Sequence, residues 1–165
     1  MNSLVRDHLP ATYFAQYQER RTELMALLTD DDLTFRPGPA ALTLGELCRE
    51  IGEIEHSYIQ AFRTFWQDLD RHNDDPRIQQ SVAAITAWYE DLDRDLTAAL
   101  EALTEDDIAG RRITRSDSDD IEFWPLAAQE LDIYREALLI FYGKASIYLR
   151  IMDKGLPGRW PAWIG

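Results

Sequence analysis

Cysteine and histidine are scarce in this sequence. Cys48 is the only cysteine, so no disulfide bond can form within the chain, and a reducing compartment, the cytoplasm, is expected. The three histidines are His8, His56 and His72. A catalytic zinc-like ion needs about three protein ligands of the His, Cys, Asp or Glu type. Only His56 falls within a predicted helix that could face a core, so a histidine-rich metal site is not predicted.

Positive charge and long apolar runs are also lacking. The chain has 17 lysine and arginine residues against 30 aspartate and glutamate residues, a net charge of −13. Nucleic-acid binding is therefore not expected, because phosphate recognition depends on clustered basic side chains. No segment approaches the roughly 18 consecutive apolar residues of a membrane span, and residues 1–8 do not resemble a signal peptide. We expect neither export nor membrane association.

What the sequence does contain is the pattern of a helical domain. Its 165 residues suit a single domain, and 45% hydrophobic with 28% charged residues is ordinary for a globular protein. Apolar residues recur at helical spacing in four segments, and this periodicity predicts helices over residues 13–28, 44–69, 78–103 and 125–153. Thr43 and Glu46 form a capping-box pattern at the start of the second helix.

The segments between and after these helices are less regular. Residues 113–115 and 121–123 flank a polar stretch, and a short β-hairpin there is one interpretation. The aromatic tail predicts that Trp160 or Trp163 packs on the bundle or on a partner subunit. The prediction for the whole chain, residues 1–165, is an all-α four-helix bundle with a long crossover connection between the third and fourth helices.

Two groups of motifs resemble the DinB/YfiT-like family of four-helix bundles over most of the chain. The first is Leu42-Thr43-Leu44-Gly45-Glu46-Leu47, preceded by Arg36-Pro37-Gly38. The second is Gly143, the run Tyr148-Leu149-Arg150 and the exit Gly155-Leu156-Pro157. Each motif is modestly specific, and their order and joint spacing add to the resemblance.

The resemblance implies a frequently dimeric bundle in which many members hold a divalent metal with three histidines, some of them for thiol S-transfer. Carried onto this sequence, the three ligand positions fall on Glu50, Ala137 and Phe141. Two of these side chains cannot bind a metal. The resemblance therefore implies a degenerate metal site with no metal cofactor, and a homodimer.

The three ligand positions, Glu50, Ala137 and Phe141, also predict a pocket between the second and fourth predicted helices. Glu50 lies at the edge of an inward stripe, where a buried carboxylate needs a partner, and Arg135 is the predicted partner. The pocket candidates are Glu50, Glu53, His56, Tyr134, Arg135, Ala137 and Phe141. The first functional hypothesis is a non-catalytic or metal-free bundle that binds a small molecule or dimerises.

The alternative hypothesis is a metal-dependent enzyme, a thiol S-transferase or a hydrolase, with a displaced site at Glu50, Glu53 and His56. Glu53 and His56 have the Glu-x-x-His spacing of di-iron bundles, but the sequence has no second copy. Residues three apart differ by about 60° in direction around a helix of 3.6 residues per turn. The side chains of Glu50, Glu53 and His56 therefore reach a common metal ion only with strain. The favoured interpretation of segment 53–56 is a solvated acidic face beside a histidine.

Overall fold

The computed structural model describes residues 1–9, 14–116 and 124–164. Helices dominate these residues, together with two strands of two residues each. The helices are α1 (Ser3–His8), α2 (Ala15–Leu27), α3 (Leu44–Thr64), α4 (Val82–Glu101), α5 (Glu105–Gly110), α6 (Ala127–Ile151) and α7 (Pro161–Ile164), and the strands are β1 (Trp66–Gln67) and β2 (Thr114–Arg115). Short 3₁₀ turns at Asp31–Thr34 and Pro76–Gln79 precede α3 and α4.

The four long helices α2, α3, α4 and α6 form the bundle, with α3 packed against both α4 and α6 and with α2 packed against α4. Their apolar stripes meet in one core, which includes Ile51, Leu92 and Leu138. The predicted all-α four-helix bundle, with its long connection between α4 and α6, is confirmed. None of the helices in the described part of the chain is long and apolar enough to cross a membrane.

The start of α3 is fixed by its own first turn. The Glu46 amide donates to Thr43 Oγ1 at 3.1 Å, and the Thr43 amide donates back to Glu46 Oε2 at 2.7 Å, which is the predicted capping box. Gly45 is required because a Cβ atom there would lie 2.0 Å from the carbonyl oxygen of Gln79. The glycine of the first family motif therefore allows the turn before α4 to pass directly over α3.

The end of α3 comes earlier than predicted. The helix ends at Thr64 rather than near residue 69, because Phe65 adopts a left-handed conformation with φ of 60°. A left-handed residue is a common helix terminator, although glycine usually occupies it. The chain then turns into β1, whose partner lies far along the sequence.

An N-terminal helix, α1, was absent from the sequence prediction. Its N-cap, Asn2, accepts a hydrogen bond from the Val5 amide at 2.9 Å. The Asn2 side-chain amide also donates to the carbonyls of Leu100 and Leu103 at 2.7 and 2.8 Å, which ties α1 to the end of α4. His8, predicted to precede the first helix, is the last residue of α1.

The crossover between α4 and α6 is anchored at its middle to the end of α3. Strands β1 and β2 pair in parallel, with Trp66 opposite Thr114. The Thr114 amide donates to the Phe65 carbonyl, and the Ser116 amide to the Gln67 carbonyl, both at 3.0 Å. The first arm of the predicted hairpin, residues 113–115, thus pairs with β1. At its start the Ile113 amide also donates to the Pro125 carbonyl at 2.9 Å, next to an isolated antiparallel bridge between Arg112 and Leu126. Residues 121–123, the predicted second arm, lie outside the described residues.

The C-terminal tail packs on the bundle, as predicted. Trp160 is fully buried, with its ring centroid 5.1 Å from that of Tyr142 on α6. The ring of Trp163 lies 5.5 Å from that of Tyr17 on α2, and the Arg20 guanidinium stacks 4.0 Å from its centroid. The two tryptophans therefore join the last residues to both α2 and α6.

Candidate functional site

A cleft of about 120 Å³ lies between α3 and α6. It has an almost entirely apolar lining. The residues that line it are Leu47, Glu50, Ile51, Ile54, Ala137, Ile140, Phe141 and Lys144. Glu50, Ala137 and Phe141, the three positions implied by the family resemblance, thus come together from two helices at this one cleft.

The cleft lies at the side of the bundle rather than at its centre. Phe141 is 3% exposed and forms the inner wall, whereas Ile140 on the rim is 60% exposed. Ala137 lies between them and is half-buried. Ala137 and Phe141, two of the predicted pocket residues on α6, line this cleft, which opens to solvent.

Among the described residues that line the cleft, Glu50 is the only acidic one. Its Oε2 atom is buried and accepts no hydrogen bond from the described residues. The predicted ion pair between Glu50 and Arg135 is not formed, because Arg135 pairs with Asp132 one turn away on α6, at 3.1 Å. A buried carboxylate oxygen without a donor is unfavourable, and it provides an acceptor for a ligand.

Tyr134 is not part of the cleft, contrary to the prediction. It is fully buried in the core, with its ring 5.0 Å from that of Tyr58 and 5.6 Å from that of Phe14. The α6 stripe is wide enough for Tyr134 to face the core while Ala137 faces the cleft. The spacing of apolar residues in the sequence does not distinguish a side chain that faces the core from one that faces the cleft.

The cleft residues do not fit the metal site that the family implies. They supply one carboxylate, from Glu50, while Ala137 and Phe141 present only carbon, and Lys144 adds a positive charge at the rim. Within residues 1–9, 14–116 and 124–164, no three His, Cys, Asp or Glu side chains are grouped so as to hold a metal ion. Divalent metals bind where several such donors converge, so this donor set does not match.

The three residues of the displaced-site hypothesis do not all meet at one site, because Glu50 and Glu53 line one polar pocket and His56 does not line it. Glu53 accepts a hydrogen bond from the Asn73 amide at 2.8 Å, and its other oxygen lies 3.5 Å from His72 Nδ1. His56 faces the charged residues Arg63, Arg71 and Asp95, and its partial burial lowers its pKa. The structure therefore brings neither Glu53 nor His56 into the cleft that Glu50 lines.

A polar pocket of about 220 Å³ adjoins the cleft and shares Glu50 and Ile54 with it. The other residues that line it are Glu53, Ser57, Leu69, Arg71 and His72. Glu50 thus stands at the boundary between an apolar cleft and a polar pocket. A molecule bound in the cleft can place a polar group at this boundary.

Sequence analysis missed a cluster of buried charges in the centre of the bundle. The Arg21 guanidinium, 1% exposed, forms an ion pair with Glu55, which is fully buried, and a second one with Asp93 at 2.6 Å. The same guanidinium lies 4.1 Å from the ring centroid of Tyr89. Helices α2, α3 and α4 are therefore joined at the core by one cation.

Burial raises the pKa of Glu55 to about 7, and the nearby Asp93 carboxylate acts in the same direction. The sequence interpretation of segment 53–56 as a solvated face is wrong for this residue. Ile51, Glu55 and Tyr58 recur at spacings of four and three, so Glu55 lies on the buried stripe of α3. This spacing indicates a buried position for Glu55, but a charged residue is normally predicted to be exposed to solvent.

Cys48 is also buried, and burial raises the pKa of its thiol to about 12. A thiol in this state is protonated at neutral pH and is a poor nucleophile. Cys48 therefore packs as a small hydrophobic residue of the core.

The fold and the cleft define a class of protein, a four-helix bundle with a lateral cleft between its second and fourth long helices. A profile of the DinB superfamily matches residues 13–130. This chain belongs to the DinB superfamily. The crystal structure of a DinB-like protein, YjoA from Bacillus subtilis, superimposes with a TM-score of 0.67 at 17% sequence identity, and the alignment covers 90% of this chain and 95% of that one. No curated protein matches the chain significantly.

Proposed function

We propose that this DinB-superfamily protein binds a small organic molecule in the cleft between α3 and α6, without a metal ion. The observation that supports this proposal is the Glu50 carboxylate, which lines a mostly apolar cleft and whose buried Oε2 atom accepts no hydrogen bond from the described residues. Sites for small ligands combine apolar walls with a few polar groups that fix the orientation of the ligand.

The size and chemistry of the cleft define the ligand. A cavity of about 150 Å³ lined by apolar side chains accommodates benzene. The cleft of about 120 Å³ therefore suits a compact group of a few carbon atoms. An amine, or another donor on that group, would satisfy Glu50 Oε2. We infer a small, mostly apolar amine as the ligand class.

Benzylamine is a suitable probe, with toluene and benzyl alcohol as neutral analogues of the same shape. Titration followed by NMR chemical shifts of the cleft residues is expected to show benzylamine binding more tightly than either analogue. Replacement of Glu50 by Gln should weaken benzylamine binding by roughly ten- to a hundredfold, because hydrogen bonds to charged groups contribute about 1.5–3 kcal/mol. Ala137→Trp should fill the cleft and abolish binding of all three probes.

Glu90→Gln is the matched control, because it removes the same charge from an exposed position on α4. The control should bind benzylamine as the wild type does. If no probe binds the wild type, or if Glu50→Gln and Glu90→Gln bind benzylamine equally well, the proposed ligand class is wrong.

The enzyme hypothesis, a thiol S-transferase or hydrolase with a metal held by Glu50, Glu53 and His56, has no comparable support. Glu53 is held by Asn73 and His72, and His56 lies among charged residues outside the cleft. A metal-dependent activity that is lost in His56→Ala at an unchanged melting temperature would favour this alternative over ligand binding.

A further inference from the structure

The polar pocket beside the cleft is lined by titratable side chains, some with partners and some without. His72 Nδ1 lies 3.5 Å from Glu53 Oε2, and Glu53 also pairs with Arg49 at 3.5 Å. Arg71 lines the same pocket and forms no hydrogen bond or ion pair with the described part of the chain. Glu50 Oε2 likewise accepts no hydrogen bond from the described residues. Within that part of the chain, the pocket therefore has one negative and one positive group that lack a partner.

Glu50 and Arg71 do not pair with each other, although both line this pocket. Glu50 lies on α3 and is half-buried, whereas Arg71 is exposed in the segment that follows β1. A buried carboxylate oxygen requires a donor, and an arginine guanidinium binds a carboxylate through two parallel N–H donors. The two groups thus complement one molecule that carries both an ammonium and a carboxylate.

The other polar groups of the pocket are already engaged. Ser57 Oγ donates to the Ile54 carbonyl at 2.7 Å and accepts from Gln67 Nε2 at 3.3 Å. The hydrogen atom of this hydroxyl is therefore not available to a ligand. His72 faces an acidic partner, as described above. Arg71 is thus the donor in the pocket that is free to bind an anionic group.

Lys144 is a second basic side chain near Glu50, but it lines the apolar cleft rather than the polar pocket. Its neighbours on α6 in the cleft, Ile140 and Ala137, present only carbon. A carboxylate placed among them would lose its hydration without gaining further donors. The polar pocket of about 220 Å³ is also larger than the cleft of about 120 Å³, so it has room for an anionic group with its water. The geometry therefore favours Arg71 over Lys144 as the partner of the carboxylate.

We propose that the ligand is an amino acid with a compact apolar side chain, held with this side chain in the cleft, its ammonium at Glu50 and its carboxylate at Arg71. The assignment rests on the proposed amine site, to which it adds the class of ligand and a residue that determines specificity. Glu50 lines both cavities, so the ammonium lies between the other two groups. An α-amino acid has this arrangement, because one carbon atom carries its side chain, its ammonium and its carboxylate.

Phenylglycine tests the carboxylate alone, because it is benzylamine with a carboxylate on the carbon that bears the nitrogen. Phenylglycinol has a neutral hydroxymethyl group in the same place. In titrations followed by NMR chemical shifts, the better-binding enantiomer of phenylglycine should bind the wild type roughly fivefold more tightly than phenylglycinol or benzylamine, as expected for one partly exposed ion pair. This advantage should shrink as the salt concentration rises, because salt screens exposed charges.

Variants of the two anchoring residues separate their roles. Arg71→Gln should remove the advantage, so that phenylglycine binds no more tightly than phenylglycinol. Arg71→Lys should keep part of it, since the charge remains but the paired donors of the guanidinium are lost. Glu50→Gln should weaken phenylglycine and phenylglycinol by the same factor, because both carry the ammonium. Arg150→Gln is the matched control, because it removes the same charge from an exposed position on α6 that lines neither cavity, and it should bind both probes as the wild type does.

The outcomes distinguish this inference from the proposed function. If phenylglycine binds the wild type no more tightly than phenylglycinol, the carboxylate site is overturned, and benzylamine binding would leave the amine site in place. An advantage that survives Arg71→Gln, or that disappears in Lys144→Gln instead, also overturns it. Phenylglycine binding that depends on Arg71 but not on Glu50 would uphold the carboxylate site and contradict the amine site. If neither benzylamine nor phenylglycine binds, both proposals are wrong.

Discussion

At the scale of single residues, the buried guanidinium of Arg21 faces two carboxylates, those of Glu55 and Asp93. Glu55 is fully buried, and burial disfavours the charged form of a carboxyl group. The Asp93 carboxylate adds repulsion, which the single guanidinium does not fully offset. The pKa of Glu55 therefore rises to about 7.

This raised pKa predicts a specific dependence of stability on pH. Folded Glu55 keeps its proton up to about pH 7, whereas an unfolded glutamate loses it near its ordinary pKa. The proton therefore stabilises the fold at low pH, and this contribution is lost as the pH rises through 7. Between about pH 5 and pH 8, wild type should lose on the order of 2 kcal/mol of unfolding free energy relative to Glu55→Gln.

Denaturant unfolding of both proteins at several pH values measures this difference. Glu101→Gln, at an exposed position of α4, serves as the control and should follow the wild type at every pH. Parallel pH profiles for wild type and Glu55→Gln would mean that Glu55 is ionised throughout and fully paired with Arg21.

At the scale of secondary-structure elements, periodicity predicted the long helices but not their ends. The α4 positions Ile85, Tyr89 and Leu92 are buried as their spacing predicts. The end of α3 depends on the left-handed Phe65, a conformation that no sequence pattern assigns to phenylalanine. Helix α1 has only two buried residues, Leu4 and Val5, which is too few to produce a period.

The C-terminal tail gives a prediction at this scale. Trp160 is fully buried against Tyr142, so Trp160→Ala should lower the free energy of unfolding by about 3–5 kcal/mol. Trp66, which is 45% exposed, provides the matched control, and Trp66→Ala should cost less than about 1 kcal/mol. Urea unfolding monitored by far-ultraviolet circular dichroism measures both. Equal losses in the two variants would show that the tail does not stabilise the bundle.

At the scale of the whole molecule, the sequence predicted the fold and the position of the cleft better than the side chains that surround the cleft and their partners. The alignment of Glu50, Ala137 and Phe141 with the family's ligand positions predicted three residues that do line one cleft. The predicted partner Arg135 and the predicted pocket residue Tyr134 were wrong, because these residues, two and three positions before Ala137 on α6, face other directions. Spacing in the sequence gives the direction of a side chain around the helix axis only to within about a quarter turn. The cleft occupies a narrower sector of the α6 surface, so spacing alone does not decide which side chains line it.

The unsuitable donor set predicts how the molecule responds to metals. Addition of EDTA or zinc should leave the melting temperature of the wild type unchanged. The combined variant Glu50→His, Ala137→His and Phe141→His should gain about 2–3 kcal/mol of stability when zinc is present at roughly a hundredfold its dissociation constant. Differential scanning calorimetry measures both effects. A stoichiometric transition metal in purified wild type, found by elemental analysis, would contradict a metal-independent role.

The pairing of β1 with β2 bears on how two copies of the chain can associate. Hydrogen bonds from Thr114 and Ser116 fasten the middle of the crossover to the residues that follow α3 in the same chain. Exchange of α6 between two chains would need the crossover to swing away from this anchor and would break those bonds. The anchor thus opposes domain swapping, for which a long and unattached connection is the usual hinge. Each chain is therefore expected to pack its own α6 into its own bundle.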